Sequence, residues 1–127
     1  MITVTTTEVI NEIDSVKPNQ FSEEQKRKWV SRIEAKIIID IVNTHVGGED
    51  KKPSEITSTT SENLLTAAYP YDALYVWYLQ AQIDQANGEI GKYNNSMTLF
   101  NQSYQEFADF YNRTNEPIRK ASTIKVI

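Results

Sequence analysis

Residues 70–112, PYDALYVWYLQAQIDQANGEIGKYNNSMTLFNQSYQEFADFYN, decide the fold class. From Leu74 to Tyr111, apolar side chains recur at steps of three and four residues, the spacing of one face of an α-helix. This phase continues past Gly88 and Gly91 without a break. The pattern therefore favours one long helix, kinked near the two glycines, although each internal glycine costs about 0.5–1 kcal/mol relative to alanine.

An alternative reading divides the same stretch into two helices. Proline suits the first position of a helix and interrupts its interior, so Pro70 and Pro117 mark the outer limits in either case. Asn87-Gly88 is a possible helix C-cap, because glycine readily adopts the left-handed conformation that ends helices. Two antiparallel helices would then meet at this dipeptide.

Two shorter helices are predicted in the N-terminal half. Thr5 to Glu8 match a capping box, and apolar residues at helical spacing follow until Pro18. Ser22 begins the second helix, which is predicted to end at Gly47-Gly48. Its apolar stripe consists of Trp29, Val30, Ile33, Ile37, Ile38, Ile41 and Val42. The sequence thus predicts an all-α single domain over residues 1–127, a small helical bundle with a long, aromatic-rich C-terminal helix.

Two segments have no predicted partner within this bundle. Residues 47–68 are charged and then rich in Ser and Thr, and a loop of this length is usually functional or mobile. Leu64-Leu65 is expected to dock the loop onto the core through a short helical turn. The extended tail, residues 117–127, is basic and alternates apolar with polar residues, like a strand. We expect it to be disordered alone or to pair with a neighbouring subunit.

The composition narrows the functional classes. The 127 residues carry a formal net charge of -4 and no cysteine, which argues against broad nucleic-acid binding and excludes disulfides and thiolate metal sites. The N-terminus lacks the pattern of a signal peptide, and no apolar run approaches the roughly 20 residues of a membrane span. We therefore expect a protein that is made in a cytoplasm and does not enter a membrane.

Candidate catalytic groups are sparse. His45 is the only histidine, and its position near the end of the second helix favours a structural role that complements the helix dipole. Four carboxylates in the C-terminal half were considered as acid–base or cation-binding groups, and solvated surface charge is the favoured interpretation: Asp72, Glu89, Glu106 and Asp109. We expect no enzyme activity, no metal and no cofactor. An enzyme working through His45 is the least favoured alternative.

Interaction surfaces are the stronger prediction. All seven tyrosines fall between Tyr69 and Tyr111, more aromatic area than one core of this size can bury, so a subunit interface is predicted. The candidate interface residues are Tyr71, Tyr75, Trp77, Tyr78, Arg119, Lys120, Ile124 and Val126. A basic stretch offers an alternative, a small DNA-binding or regulatory protein of phage or bacterial origin: Lys26, Arg27, Lys28, Arg32 and Lys36.

The central run resembles a known family. Tyr69 to Leu79, Ile83 to Glu89, Lys92 to Met97 and Phe100-Asn101 are similar to small proteins encoded between the portal and tail genes of siphophages and prophages of Gram-positive bacteria. Those proteins are treated as head–tail adaptors, also termed connectors or head-completion proteins, of the HK97 and SPP1 type. The resemblance covers most of the chain but neither the loop nor the tail.

The resemblance implies a structural virion protein at the head–tail interface. Its expected partners are other copies of itself, in a ring expected to be dodecameric when assembled, the phage portal protein, and a tail-side head-closure or stopper protein. Packaged DNA would pass through the ring channel without specific binding. Assembly would take place in the cytoplasm of the bacterial host, without a membrane partner.

Overall fold

Four α-helices make up most of the part of the chain that the computed structural model describes, residues 2–118. They are α1 (Thr6–Val16), α2 (Glu23–Asp40), α3 (Ala73–Ala86) and α4 (Ile90–Thr114), and a short 3-10 turn (Val42–Thr44) follows α2. The prediction of an all-α bundle is confirmed. Of the predicted interface residues, Arg119, Lys120, Ile124 and Val126 lie outside the described residues.

The predicted helix starts are confirmed in α1 and α2. The Thr5 hydroxyl accepts a hydrogen bond from the Glu8 backbone N–H, and the Glu8 carboxylate accepts one from the Thr5 N–H, which completes the capping box. The Ser22 hydroxyl accepts from the Gln25 N–H at 3.1 Å. Helix α3 begins later than expected, at Ala73, because Pro70 lies in the turn that precedes it.

The long continuous helix predicted over residues 70–112 is wrong, and the two-helix alternative is correct. Gly88 has a φ of 74° and ends α3 in a Schellman motif, in which its N–H donates to Gln85 and the Glu89 N–H donates to Asp84. The chain reverses there, so that α3 and α4 form an antiparallel hairpin. Helix α4, with 25 residues, is still the longest helix of the described chain.

The helical phase was misleading because two residues that carry it across the turn are not in the core. Ala86 is exposed, and Ile90 is 61% exposed. The pattern therefore continues in the sequence although the buried stripe does not. The helix ends at Asn87-Gly88 although the apolar periodicity continues, because a left-handed glycine with two C-cap hydrogen bonds satisfies the last carbonyls of a helix.

The core lies where α1, α2 and the hairpin meet. Helix α3 is its centre, because it packs against each of the other three helices. Its fully buried side chains include Leu74, Tyr75, Leu79 and Ile83. They pack with the predicted stripe of α2 and with Val9 and Ile13 of α1. Each such side chain contributes roughly 1.5–3 kcal/mol when it is removed from water.

A buried ion pair joins three helices near the closed end of the hairpin. The Asp84 side chain of α3 has no exposed area, and it forms a salt bridge with Lys17, just after α1. Its second oxygen accepts a hydrogen bond from the Ser96 hydroxyl of α4 at 2.9 Å. Because a buried carboxylate must be compensated, these two contacts hold α1 and α4 in position against α3.

The loop of residues 47–68 is tied to the body, contrary to the expectation that it lacks internal partners. The Leu65 N–H donates to the Val4 carbonyl at 2.8 Å, and an antiparallel bridge pairs Thr5 with Leu64. Leu65 is buried and Leu64 is exposed. The loop therefore docks through an extended ladder with the N-terminal residues and not through the predicted helical turn.

The first residues of the tail also find a partner. Thr44 to Val46 run antiparallel to Glu116 to Ile118, with hydrogen bonds of 2.8 Å from the Val46 N–H to Glu116 and 2.9 Å from the Ile118 N–H to Thr44. This pairing exists because α2 ends at Asp40, before the predicted limit at Gly47, and because His45, directly after the 3-10 turn, has an extended backbone.

Alanine substitution of the two glycines tests the hairpin. Gly88→Ala should lower the free energy of unfolding by about 1 kcal/mol, because an L-residue is strained at positive φ. Gly91→Ala is the matched control: this glycine lies in α4 with open space around it, so alanine should be neutral or stabilise by up to about 1 kcal/mol. Urea unfolding measures both. Equal stabilisation by both substitutions would indicate a continuous helix.

Candidate interaction surfaces

Most of the aromatic side chains are used inside the hairpin. Tyr71 stacks on Phe110 with ring centroids 4.6 Å apart, and Tyr78 packs against Phe100 at 5.3 Å. Both tyrosines are half-buried. The two helices of the hairpin thus cover these rings mutually, and less aromatic surface is left for a subunit interface than the sequence predicts.

Tyr75 was predicted at an interface, but the structure places it in the core with no exposed area. Its hydroxyl donates to a carboxylate oxygen of Glu34 at 2.6 Å and accepts from the Ala67 N–H at 3.0 Å. Burial, and then the charge of Glu34, raise the pKa of Tyr75 well above its ordinary value of 10.0. The residue is thus an internal hydrogen-bonding group and is not available to a partner.

The sequence reasoning missed Glu34. It lies on α2 four residues after Val30 and four before Ile38, in register with the apolar stripe. Its second oxygen accepts from the Thr66 N–H at 2.9 Å and from the Thr66 hydroxyl at 2.7 Å. An acidic residue in phase with a buried stripe was the available signal for a buried polar anchor.

Trp77 is the predicted interface aromatic that borders an open groove. We call this the α1–α3 groove; it holds about 210 Å³ and its lining is mostly apolar. The lining residues are Glu12, Val16, Ala73, Val76, Trp77 and Gln80. Val16 is 60% exposed, a large fraction for a valine at the margin of a core. A shallow apolar groove of this kind is suited to apolar side chains of another chain segment.

One end of the α1–α3 groove is acidic. Glu8 and Glu12 are one turn apart on α1, and Asp72 directly precedes the groove residue Ala73. Burial raises the pKa of Asp72, and the nearby charge of Glu8 raises it further. Within residues 2–118, none of these three carboxylates takes part in a salt bridge. This end of the groove therefore attracts positive charge.

Exposed apolar side chains gather at the open end of the hairpin, opposite the turn at Gly88. Tyr69 precedes α3 and Ile118 follows α4, so both lie at this end. Ile2 pairs with Tyr69, Leu64 is bridged to nearby Thr5, and the Val46 N–H donates to Glu116, two residues before Ile118. Five of the eight large apolar residues exposed in the described chain belong to this group, which we call the open-end surface: Ile2, Val46, Leu64, Tyr69 and Ile118.

The basic stretch of α2 is largely committed to internal ion pairs. Lys26 is 5% exposed and contacts Asp14 at 2.6 Å, Arg27 contacts Glu23, and Lys36 contacts Asp40. Lys28 and Arg32 are exposed and form no salt bridge with the described residues. A nucleic-acid surface on α2 would therefore depend on two cations rather than five.

His45 lies between α2 and the end of α4. Its Nδ1 is 2.6 Å from the Ile41 carbonyl, to which it donates, and its Nε2 is 2.7 Å from the side-chain amide of Asn112. The ring packs edge-on against Tyr111, with centroids 4.7 Å apart. Both ring nitrogens thus have partners in the fold, and the contacts join the 3-10 turn to α4.

The carboxylates considered as catalytic groups are dispersed. Glu89 pairs with Lys92, while Glu106 and Asp109 are exposed on α4. Over residues 2–118, no three His, Asp or Glu side chains are grouped so that they could hold a metal ion. Within the same residues, no helix has both the length and the apolar character to cross a membrane.

Comparison with known proteins found no counterpart. The chain matches no family model, no curated protein and no solved structure.

Two tyrosine-to-phenylalanine substitutions should have opposite effects on stability. Tyr75→Phe should lower the free energy of unfolding by about 1–3 kcal/mol, because it leaves the Ala67 N–H and a Glu34 oxygen buried without this partner. Tyr104→Phe should be neutral or stabilise by about 1 kcal/mol, since the Tyr104 hydroxyl is buried with no hydrogen-bond partner in the described chain. Urea unfolding at pH 7 compares them. Equal losses from both would contradict this assignment.

Alkaline pH should destabilise the fold through the same tyrosines. Burial, with the charge of Asp40 as a second cause, raises the pKa of Tyr104 from 10.0 to about 12, and burial also raises the pKa of Tyr75 well above 10.0. The folded protein then holds protons that the unfolded chain has released. Stability from this source is complete below about pH 10 and is lost as the pH rises toward the folded pKa values. Urea unfolding from pH 8 to 11 should show the decline, with a shallower slope in Tyr104→Phe.

Proposed function

We propose that the chain is a structural virion protein, a head–tail adaptor that forms a ring between the portal and the tail of a tailed bacteriophage. The resemblance of Tyr69 to Asn101 to such adaptors supports this proposal; that run forms the turn before α3, α3 itself and the first half of α4. In this function the chain has no catalytic role. It acts by binding other copies of itself, the portal and a tail-side protein.

The open-end surface is the observation that carries the proposal. Apolar side chains that are 41–69% exposed are costly to leave in water, and clusters of them mark sites of protein association. A docking partner that covers the open end would bury the isolated backbone bridges together with the apolar side chains.

A ring imposes a second requirement, namely that each subunit presents two different faces to its two neighbours. The α1–α3 groove lies on the α1 side of α3, whereas α4 lies on another side of that helix and makes no helix contact with α1. The chain therefore offers the groove on one side of α3 and, on another side, the first residues of the tail, Glu116 to Ile118, which we call the tail root. This arrangement supports head-to-tail contacts that close by rotation.

The DNA-binding alternative has less support. Its basic residues are reduced to Lys28 and Arg32 as exposed cations without an ion-pair partner in the described chain. Two phosphate contacts give a weak binder with a shallow salt dependence. The portal experiment therefore also measures DNA binding and its salt dependence.

Docking to the portal tests the proposal. The purified chain, mixed with the portal ring encoded in the same genome, should add a ring of density to the portal in negative-stain electron microscopy. Replacing Tyr69 and Val46 with aspartate should abolish this density, because charge is placed in an apolar contact. Lys28→Glu on α2 is the control and should dock normally. A portal that stays bare with the unaltered chain, or DNA binding with a steep salt dependence, would overturn the proposal.

A further inference from the structure

We propose that residues 119–127 of one copy bind in the α1–α3 groove of a second copy, with Arg119 and Lys120 at its acidic end and Ile124 and Val126 against Val16 and Trp77. The inference deepens the proposed ring, on which it rests, by naming the contact between subunits. The groove and its occupant are complementary in charge, in apolar character and in length.

Charge is the first match. The segment from Ile118 to Ile127 carries Arg119, Lys120 and Lys125 and no acidic side chain. The groove has Glu8, Glu12 and Asp72 at one end, and none of them forms a salt bridge within residues 2–118. Burial raises the pKa of Asp72 and the charge of Glu8 raises it further, and a cation bound at this end would offset the repulsion between the two carboxylates. Complementary charge also sets the orientation of a bound segment.

The apolar residues of the segment and its length fit the same orientation, with Arg119 and Lys120 at the acidic end of the groove. The eight residue steps from Glu8 to Val16 rise about 12 Å along α1. The five steps from Arg119 to Ile124 span about 16 Å when extended. The cations and the apolar residues of the segment are therefore spaced like the acidic and apolar ends of the groove. Ile124 and Val126 alternate with Lys125, so one side of an extended segment is apolar.

The position of the tail root favours a second copy over the same chain. The Ile118 N–H is held by Thr44, on the α4 side of the bundle, whereas the groove lies on the α1 side of α3. Helix α4 packs on α3 and makes no contact with α1, so α3 stands between the anchor and the groove of the same chain. Arg119 and Lys120 are one and two residues beyond the anchor, so their backbone lies within about 7 Å of it. This short reach from an anchor beside α4 favours the groove of a neighbouring copy over their own.

A mixing experiment separates binding between copies from binding within one chain. The first variant ends at Ile118 and keeps the groove. The second keeps the full length and carries Glu12→Lys and Val16→Asp in its groove, at positions that are exposed on α1. In sedimentation velocity the unaltered chain should associate as its concentration rises. Each variant alone should stay monomeric, and the mixture should form a heterodimer, because one variant supplies the groove and the other the tail.

A peptide experiment tests the charge match. A peptide of residues 119–127 should bind the variant that ends at Ile118 and change the fluorescence of Trp77. Glu12→Lys should weaken binding about tenfold, and a peptide with Lys120→Glu should recover much of that loss. Glu106→Lys, the same charge reversal on the exposed face of α4, is the matched control and should leave the affinity unchanged.

The outcomes are distinct. A mixture of the two variants that stays monomeric overturns the proposal. If the peptide nevertheless binds, the result indicates that the tail docks in the groove of its own chain, and the proposal is overturned as well. If the variant ending at Ile118 does not fold, the full chain with Arg119→Glu and Lys120→Glu takes its place. A heterodimer together with a bare portal would leave this contact standing and remove the adaptor function. Portal docking without a heterodimer would remove this contact and leave the adaptor function standing.

Discussion

The carboxylate of Glu34 constrains the path of half the chain. A charged group on the inner face of α2 must be surrounded by donors, because an unpaired buried charge costs several kcal/mol. Its donors are the Tyr75 hydroxyl and the N–H and hydroxyl of Thr66. The segment before α3 must therefore pass along α2 at Thr66. Leu65 is then placed against Val4, and Tyr69 against Ile2, so that the N-terminal residues follow the same path.

A second buried carboxylate acts at the other end of α3. Asp84 joins Lys17 and Ser96, so both ends of the central helix are held by directional polar contacts as well as by apolar packing. Apolar packing alone tolerates small rotations and shifts of a helix, whereas a buried hydrogen-bonded carboxylate does not. The orientation of α3 also determines which residues remain outside. Trp77 and Val76 face the groove because Tyr75 and Asp84 are committed to the interior.

The sequence was most informative where a short motif determines the backbone. The caps at Thr5 and Ser22 were found because the chemistry of an N-cap involves only three or four neighbouring residues. Gly88 shows where this information was underused: periodicity predicted continuity, but the C-cap at Asn87-Gly88 determined the turn. Periodicity reports which residues are apolar, and it cannot report that Ala86 and Ile90 are exposed.

Contacts between distant residues were beyond such reasoning. Tyr75 was assigned to an interface because a tyrosine among other aromatic residues is compatible with either a core or a surface. What decides is Glu34, 41 residues earlier in the chain, and no local pattern links the two. The partner of Glu116 to Ile118 was missed for a related reason. The pairing forms because α2 ends early, His45 has an extended backbone, and its side chain turns inward to Ile41 and Asn112.

These internal anchors bear on how the proposed ring would assemble. A subunit whose loop is already held by Glu34 and whose tail root is held by Thr44 has its groove formed before any partner arrives. The groove then needs no ordering of its own when a partner binds, so this part of the interface adds little to the entropy cost of association. Because the proposed contact pairs Arg119 and Lys120 with the acidic end of the groove, salt weakens it, while the apolar contacts of Ile124 and Val126 persist. Each contact is therefore weak enough to reverse, and only closure of the ring makes the set of contacts stable, since every subunit is then held on two sides.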